Sequence, residues 1–339
     1  VDLGDDAERA HMIKEVAVEI GQTQETLSRA NRLVGLTAGL NLHQLRSLLL
    51  ECHQQQGKIE ESRVATKKSD WIRREDIVEI LEPAHGFESV GGYESVKQFI
   101  QRNIIGVINH PERAAHFGVP LPKGILLFGP PGTGKSHFSK ALAAETHLPF
   151  INLKTENLFS QYLGESGRLF NRAIKIAEKN APCIVFIDEI DRFGTRRSSA
   201  NDGASEETRR VFNQILEWLG DANRKSILIG TTNRPQDLDK AFTRPGRLDY
   251  KVPIFYPNAA ARSAILAIHL GLTGVSNPIP VSEGAEAMVE ERIRWLAQNT
   301  RYFSGAELEE LVYRIRRNAF ERNGRYVEEK DFARALEHF

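Results

Sequence analysis

Gly129-Pro130-Pro131-Gly132-Thr133-Gly134-Lys135-Ser136 decides how the rest of the chain is read. The apolar run Gly124-Ile125-Leu126-Leu127-Phe128 leads into it, and the helix-patterned Phe138-Ser139-Lys140-Ala141-Leu142-Ala143 leads out. Strand, glycine turn, Gly-Lys-Ser and helix are the setting of a P-loop. Glycines let consecutive backbone N–H groups curl around phosphate oxygens, where a side chain would collide. Pro131, Gly132, Thr133 and Gly134 are therefore the candidate cradle, and the following helix adds its positive end. In such a loop Lys135 bridges the terminal phosphates and the Ser136 hydroxyl holds Mg²⁺. The implied ligand is a nucleoside triphosphate.

Outward from this stretch, the pattern from Phe87 onward alternates strands with helices, which implies a parallel sheet. The expected strands are 124–128, 150–153, 183–188, 226–232 and 250–255. Helical patterns fall at 165–179, with Leu169, Ala173, Ile176 and Ala177 on one face, and at 206–219, with Val211, Ile215, Trp218 and Leu219 on one face. Past Pro257 the expected helices are 260–271, 288–299, 305–322 and 329–338. The fold class is thus α/β: a five-stranded parallel sheet sandwiched by helices, a helical region after it and a small helical region before it.

Residues 1 to about 84 read as helical, from the spacing of Ile13, Val16 and Ile20 and the stripe Leu42, Leu45, Leu48 and Leu49. Asn41 and Gln44 suit a capping box. Lys67, Lys68, Arg73 and Arg74 around Trp71-Ile72 fit a solvated helix face better than a contact surface. Glu82-Pro83-Ala84-His85-Gly86 breaks the pattern as a domain boundary does. The polar stretch 194–206 reads as a loop.

Two strand ends carry further chemistry. Cys183-Ile184-Val185-Phe186-Ile187-Asp188-Glu189 closes on two carboxylates, and ligands of parallel sheets bind at carboxyl ends of strands. Asp188 suits a Mg²⁺ ligand, and Glu189 suits the group that polarises the attacking water. Ser226-Ile227-Leu228-Ile229-Gly230-Thr231-Thr232-Asn233 ends on a residue able to reach that water or the γ-phosphate. Arg244-Pro245-Gly246-Arg247 sets two arginines on a turn. They either pair with local acids such as Asp239 and Asp249 or project towards a neighbour's γ-phosphate.

Taken in this order, Gly129–Ser136, Ile184–Glu189, Thr231–Asn233 and Arg234–Asp249 resemble the AAA ATPase family, over about Phe87 to Phe339. The resemblance implies ATP as ligand with Mg²⁺, a helical lid, and Arg244 and Arg247 acting in trans across a homo-oligomeric ring, most simply a hexamer. Val90 and Gly91, in Phe87-Glu88-Ser89-Val90-Gly91-Gly92, match the family's adenine-side segment. His269 matches its adenine-contacting histidine, and Gly305-Ala306 its lid helix. Tyr250 stands where many members carry a further basic residue. Gln161-Tyr162-Leu163-Gly164-Glu165-Ser166 resembles the first pore loop, with Tyr162 and Leu163 gripping a polypeptide substrate. The implied domains are 1–84, 85–257 for the α/β ATPase and 258–339 for the lid. A narrower similarity, on Ala181-Pro182-Cys183, Arg210-Val211-Phe212, Trp218-Leu219 and Phe303–Leu308, is to plastid and cyanobacterial AAA proteins of the hypothetical chloroplast reading frame group. In those a degenerate module precedes the working one. Leu33-Val34-Gly35-Leu36-Thr37 then resembles the lid end of such a module.

The bulk numbers bound the partners. Lys plus Arg and Asp plus Glu both total 45 in 339 residues, so a polyanion-binding surface, and with it nucleic acid, is not expected. Cys52 and Cys183 are too few for a disulfide framework. The expected setting is cytoplasmic, or the plastid stroma for a plastid chain, with no membrane segment. The start at Val1 is expected to be the visible part of a longer polypeptide. No His-Glu-x-x-His motif follows the ATPase segment, and Glu337-His338-Phe339 lacks a hydrophobic-Tyr-x end. The expected activity is ATP hydrolysis that remodels or threads a protein partner; the alternative is a nucleotide-gated assembly scaffold.

Overall fold

The computed structural model describes residues 6–21, 30–37, 42–56, 59, 63–64, 78–155, 166–193 and 203–339. The strands are β1 (Val78–Leu81), β2 (Gly124–Phe128), β3 (Phe150–Leu153), β4 (Ile184–Ile187), β5 (Ile227–Thr232) and β6 (Tyr250–Pro253). They form a sheet in the order β1-β3-β4-β5-β2-β6. β2 runs parallel to β5 and β6, and β3 runs parallel to β4. All the expected strands are present, three of them trimmed at their ends. The expected count of five is corrected to six: β1 pairs antiparallel with β3, Val78 opposite Leu153 and Leu81 opposite Phe150. This strand lies inside the stretch expected to be helical.

The chain divides into two compact units. The first comprises Val1–Leu81, Pro149–Ile187 and Arg197–Ile227. Its leading helices are α1 (Asp6–Glu19), α2 (Ala30–Leu36) and α3 (Leu42–Gln56). α1 packs on both of the others, burying Ile13, Val16 and Ala17 with Leu45, Leu48, Leu49 and Cys52.

The second unit comprises Glu82–Leu148, Asp188–Arg196 and Leu228–Phe339. After a 3₁₀ turn at Phe87–Ser89 it continues through α4 (Glu94–Ile100), α5 (Gly106–Asn109), α6 (Pro111–His116) and α7 (Lys135–Thr146). Ile125, Leu126 and Leu127 of β2 are all buried, as a strand covered on both faces requires.

The first unit also holds α8 (Ser166–Lys179) and α9 (Gly203–Gly220), which pack together. Val211, Ile215, Trp218 and Leu219 of α9 are buried as their spacing predicts. In α8 the buried face passes through Phe170, not Leu169, which is half-buried.

The second unit ends in α10 (Ala259–His269), α11 (Glu286–Asn299), α12 (Gly305–Glu321) and α13 (Glu329–Glu337). Leu266, Leu296, Leu308, Leu311 and Phe332 are fully buried among them. Side chains set where these helices start. Asn258 accepts the Ala261 amide, and Ser304 with Glu307 forms a reciprocal capping box at α12. Asn41, Trp71 and the basic residues around it, Tyr162, Leu163 and 194–202 lie outside the described residues.

Candidate active site

Everything that converges on the P-loop belongs to the second unit. Gly132, at φ 75°, occupies the left-handed region open to glycine, and a Cβ there would meet Ser304 Oγ at 2.8 Å. The Ala306 amide, in the first turn of α12, donates to Gly132 O at 3.0 Å. Lys135 Nζ donates to the carbonyls of Gly129 (3.0 Å) and Pro130 (2.6 Å). Burial lowers the Lys135 ammonium pKa from its ordinary value, opposed by the nearby charges of Asp188 and Glu189.

The end of β4 delivers the two acids. Ser136 Oγ donates to Asp188 Oδ2 at 3.0 Å, and the buried Thr231 hydroxyl makes a short hydrogen bond to Asp188 Oδ1. The Glu189 amide in turn donates to Thr231 Oγ1 at 3.0 Å. Glu189 has φ 49°, a strained value for a side-chain-bearing residue of the kind that accumulates at functional sites. Its carboxylate takes the Asn233 amide at 3.3 Å and an ion pair from Arg192. A hydroxyl and a carboxylate side by side are hard oxygen donors. Among the described residues no three His, Cys, Asp or Glu gather as a metal cage. The Ser136 hydroxyl and the Asp188 carboxylate are the donor types that suit Mg²⁺.

These groups face one cavity of about 560 Å³. Its walls include Val90, Gly91, Pro131, Gly132, Thr133, Gly134, Lys135, Ser136, Asp188, Glu189, Asn233, His269, Gly305 and Ala306. The structure therefore brings together every described residue expected at the nucleotide and metal. Gly91 sits where a Cβ would lie 2.5 Å from the Ile265 amide, so α10 approaches this backbone closely. Burial pushes the His269 imidazole pKa below its ordinary value, against the pull of Glu309, whose carboxylate lies 4.0 Å from Nδ1. Arg244 and Arg247 do not line the cavity. Arg244 is exposed, and Arg247 donates to Ala241 O at 2.7 Å. Asp239 and Asp249 accept backbone amides, from Ala241 and from Gly246 and Lys123. Among the described residues neither acid forms an ion pair with these arginines.

Sequence reasoning missed several wall residues. Tyr93, Ile265, Ile268 and Glu309 line the cavity, and Thr231 links the two acids. The only signal for Ile265 and Ile268 was their spacing from His269 on one helix, which puts the three residues along one edge.

The sequence comparisons agree with this geometry. Residues 125–256 match the model of the ATPase family associated with various cellular activities (AAA). Residues 7–76 match the second helical domain of AAA+ chaperones. An ATP-dependent zinc metalloprotease FtsH of Magnetococcus marinus is 35% identical over 251 residues, covering 74% of this chain and 35% of that protein. The proteasome-activating nucleotidase of Methanocaldococcus jannaschii is 35% identical over 253 residues, covering 74% of this chain and 56% of that protein. The nucleotidase of Thermococcus onnurineus is 34% identical over 265 residues, 76% of this chain and 63% of that protein. The chain thus spans between about a third and two thirds of the length of these relatives. Local geometry and family match reach one conclusion: residues 125–256 of this chain form an ATPase domain of the AAA family.

Proposed function

We propose that the protein is a Mg²⁺-dependent ATP hydrolase that works as a ring and spends turnover on remodelling or threading a protein partner. The observation that carries this reading is the Asp188 carboxylate shared between the Ser136 and Thr231 hydroxyls, with Glu189 beside it facing the cavity. ATP supplies the transferable phosphoryl group, and Mg²⁺ held by Ser136 and Asp188 supplies neutralising charge. Lys135 adds a cation at the loop. Glu189 accepts the proton of the attacking water on its carboxylate, while the Asn233 amide fixes the Oε1 side of that group. His269, Val90 and Gly91 border the adenine end, with Gly305 and Ala306 at the start of the lid helix.

Arg244 and Arg247 complete the site of a neighbouring copy. The exposure of Arg244 on the Pro245-Gly246 turn supports that role. An arginine supplied in trans contributes about 10³–10⁵ in turnover. The relatives named as an ATP-dependent protease and a proteasome-activating nucleotidase support a protein substrate. A ring of six and a grip by Tyr162 and Leu163 are further parts of the proposal. So are the boundaries 1–84, 85–257 and 258–339, with the first region a lid remnant; the match over 7–76 supports that part. No helix among the described residues is long and apolar enough to cross a membrane.

Complementation tests the shared site. Glu189→Gln alone and Arg244→Ala/Arg247→Ala alone should each lose hydrolysis, and mixing the two proteins should restore part of it. Full turnover by the double arginine variant ends the proposal of trans arginines. A Glu189→Gln protein held in ATP should also retain its protein partner, and Tyr162→Ala should keep hydrolysis while losing remodelling.

A further inference from the structure

The Tyr93 hydroxyl reaches two backbone carbonyls 122 residues apart in sequence, Phe255 O at 2.8 Å and Thr133 O at 3.2 Å. Tyr93 is itself held unusually. It follows Gly92 (φ 77°) and has φ 59°, so two consecutive residues occupy the left-handed region just before α4. An aromatic residue there is strained, and such outliers gather at functional sites. Gly92 is pressed on α10, where a Cβ would lie 2.2 Å from Ala261 Cβ. The Phe255 side is fixed too: the Ile254 amide donates to Phe128 O at 2.8 Å, and the rings of Phe128 and Phe255 meet edge to face at 6.1 Å. The phenol therefore ties the loop to the strand exit behind it.

From this juxtaposition we infer that Tyr93 is a positioning residue for phosphate binding, one that fixes the plane of the Thr133–Gly134 peptide and with it the direction of the Gly134 amide. A trans peptide is planar, with its C=O and N–H pointing opposite ways. A Thr133 carbonyl drawn to Tyr93 therefore aims the next N–H away from Tyr93. Burial raises the phenol pKa to about 12, so the hydroxyl remains a donor at neutral pH. The inference rests on the nucleotide site proposed above and adds a residue to it.

Tyr93→Phe removes the hydroxyl and keeps the ring. Losing one hydrogen bond of this kind should weaken ATP and ADP binding about three- to tenfold. Adenosine, which carries no phosphate, should keep its affinity in the same protein. Equal losses for adenosine and ATP would assign the hydroxyl to the nucleoside, or to folding at large, and overturn the inference. Unchanged ATP and ADP affinities would overturn it as well. Lys135→Ala run in parallel separates the two levels: if that variant still binds ATP normally, the nucleotide site itself is wrong.

Discussion

Thr231→Val is the most informative single change in this site. The side chain is fully buried at the end of β5, and valine has nearly the same shape, so no cavity opens. What disappears is a hydroxyl that donates to Asp188 Oδ1 and accepts the Glu189 amide at 3.0 Å. A hydrogen bond to a charged group contributes about 1.5–3 kcal/mol, and an orphaned buried donor costs about 1–3 kcal/mol. Asp188 is exposed and Glu189 half-buried, so water recovers part of both losses. The net is about 2–4 kcal/mol. Ser136 still holds Asp188, so ATP should still bind. The loss should fall on the placement of both acids during hydrolysis. Each 1.4 kcal/mol is about tenfold, which predicts a fall in kcat of roughly 30- to 1000-fold. The assay is steady-state phosphate release over a Mg²⁺ titration, with nucleotide affinity measured separately. Thr232→Val is the control. Its hydroxyl accepts the Arg234 amide at 2.9 Å and touches neither acid, so kcat should fall far less. A Thr231→Val enzyme within twofold of wild-type kcat would refute the idea that this hydroxyl aligns the two carboxylates.

Two predictions concern the helical end of the chain. Arg262 is buried, with no acidic partner among the described residues, and donates to Ala297 O at 2.9 and 2.6 Å and to Pro257 O at 2.8 Å. Ala297 lies in the last turn of α11, where carbonyls lack helical donors, so Arg262→Met should destabilise this region by about 1–3 kcal/mol in denaturant melts; no shift would show these carbonyls are satisfied otherwise. Asp331 is buried, which raises its carboxyl pKa, but the Arg322 guanidinium and the Glu328 amide outweigh that and leave it below the ordinary value. A depressed folded-state pKa means the stabilisation is complete above the unfolded value of about 3.9 and is lost as pH falls through the folded one. Unfolding midpoints should therefore drop on acidification below about pH 4, and Asp331→Asn should flatten that limb while lowering stability at pH 7.

That Gly132, Lys135, Asp188 and Glu189 share one cavity was legible because their signals are local. Glycine spacing, an apolar strand with no alternation and a carboxylate pair each fit within one short window. What stayed hidden is set by partners distant in sequence. β1 has four residues, too few to show a period, and its pairing with Phe150–Leu153 is made some 70 residues away. In α8 both Leu169 and Phe170 are apolar, so the pattern could not fix the helix phase to within one residue, about 100°. Thr231 reads as an ordinary strand residue until β4 places two acids against it. Tyr93 reads as a helix-start aromatic until the P-loop and the exit of β6 meet at its hydroxyl.

Counting carbonyls explains how the loop is shaped before any phosphate arrives. Gly129 O accepts Lys135 Nζ; Pro130 O accepts both Lys135 Nζ and the Thr133 hydroxyl at 2.9 Å; Gly132 O accepts the Ala306 amide; Thr133 O accepts Tyr93. Four carbonyls are thus held by donors of this same chain. Pro130 and Pro131 have no N–H to offer, so the anion-facing donors must come from Gly132 through Ser136. Peptide planarity then points the amides of Thr133 and Gly134 opposite to their pinned carbonyls. A loop so held need not reorganise its backbone to receive an anion, and preorganised donors of this kind act without a reorganisation cost at the moment of reaction. On the proposed reading of the site, the bonds to be exchanged are those of Lys135, whose ammonium group is held by the carbonyls of Gly129 and Pro130.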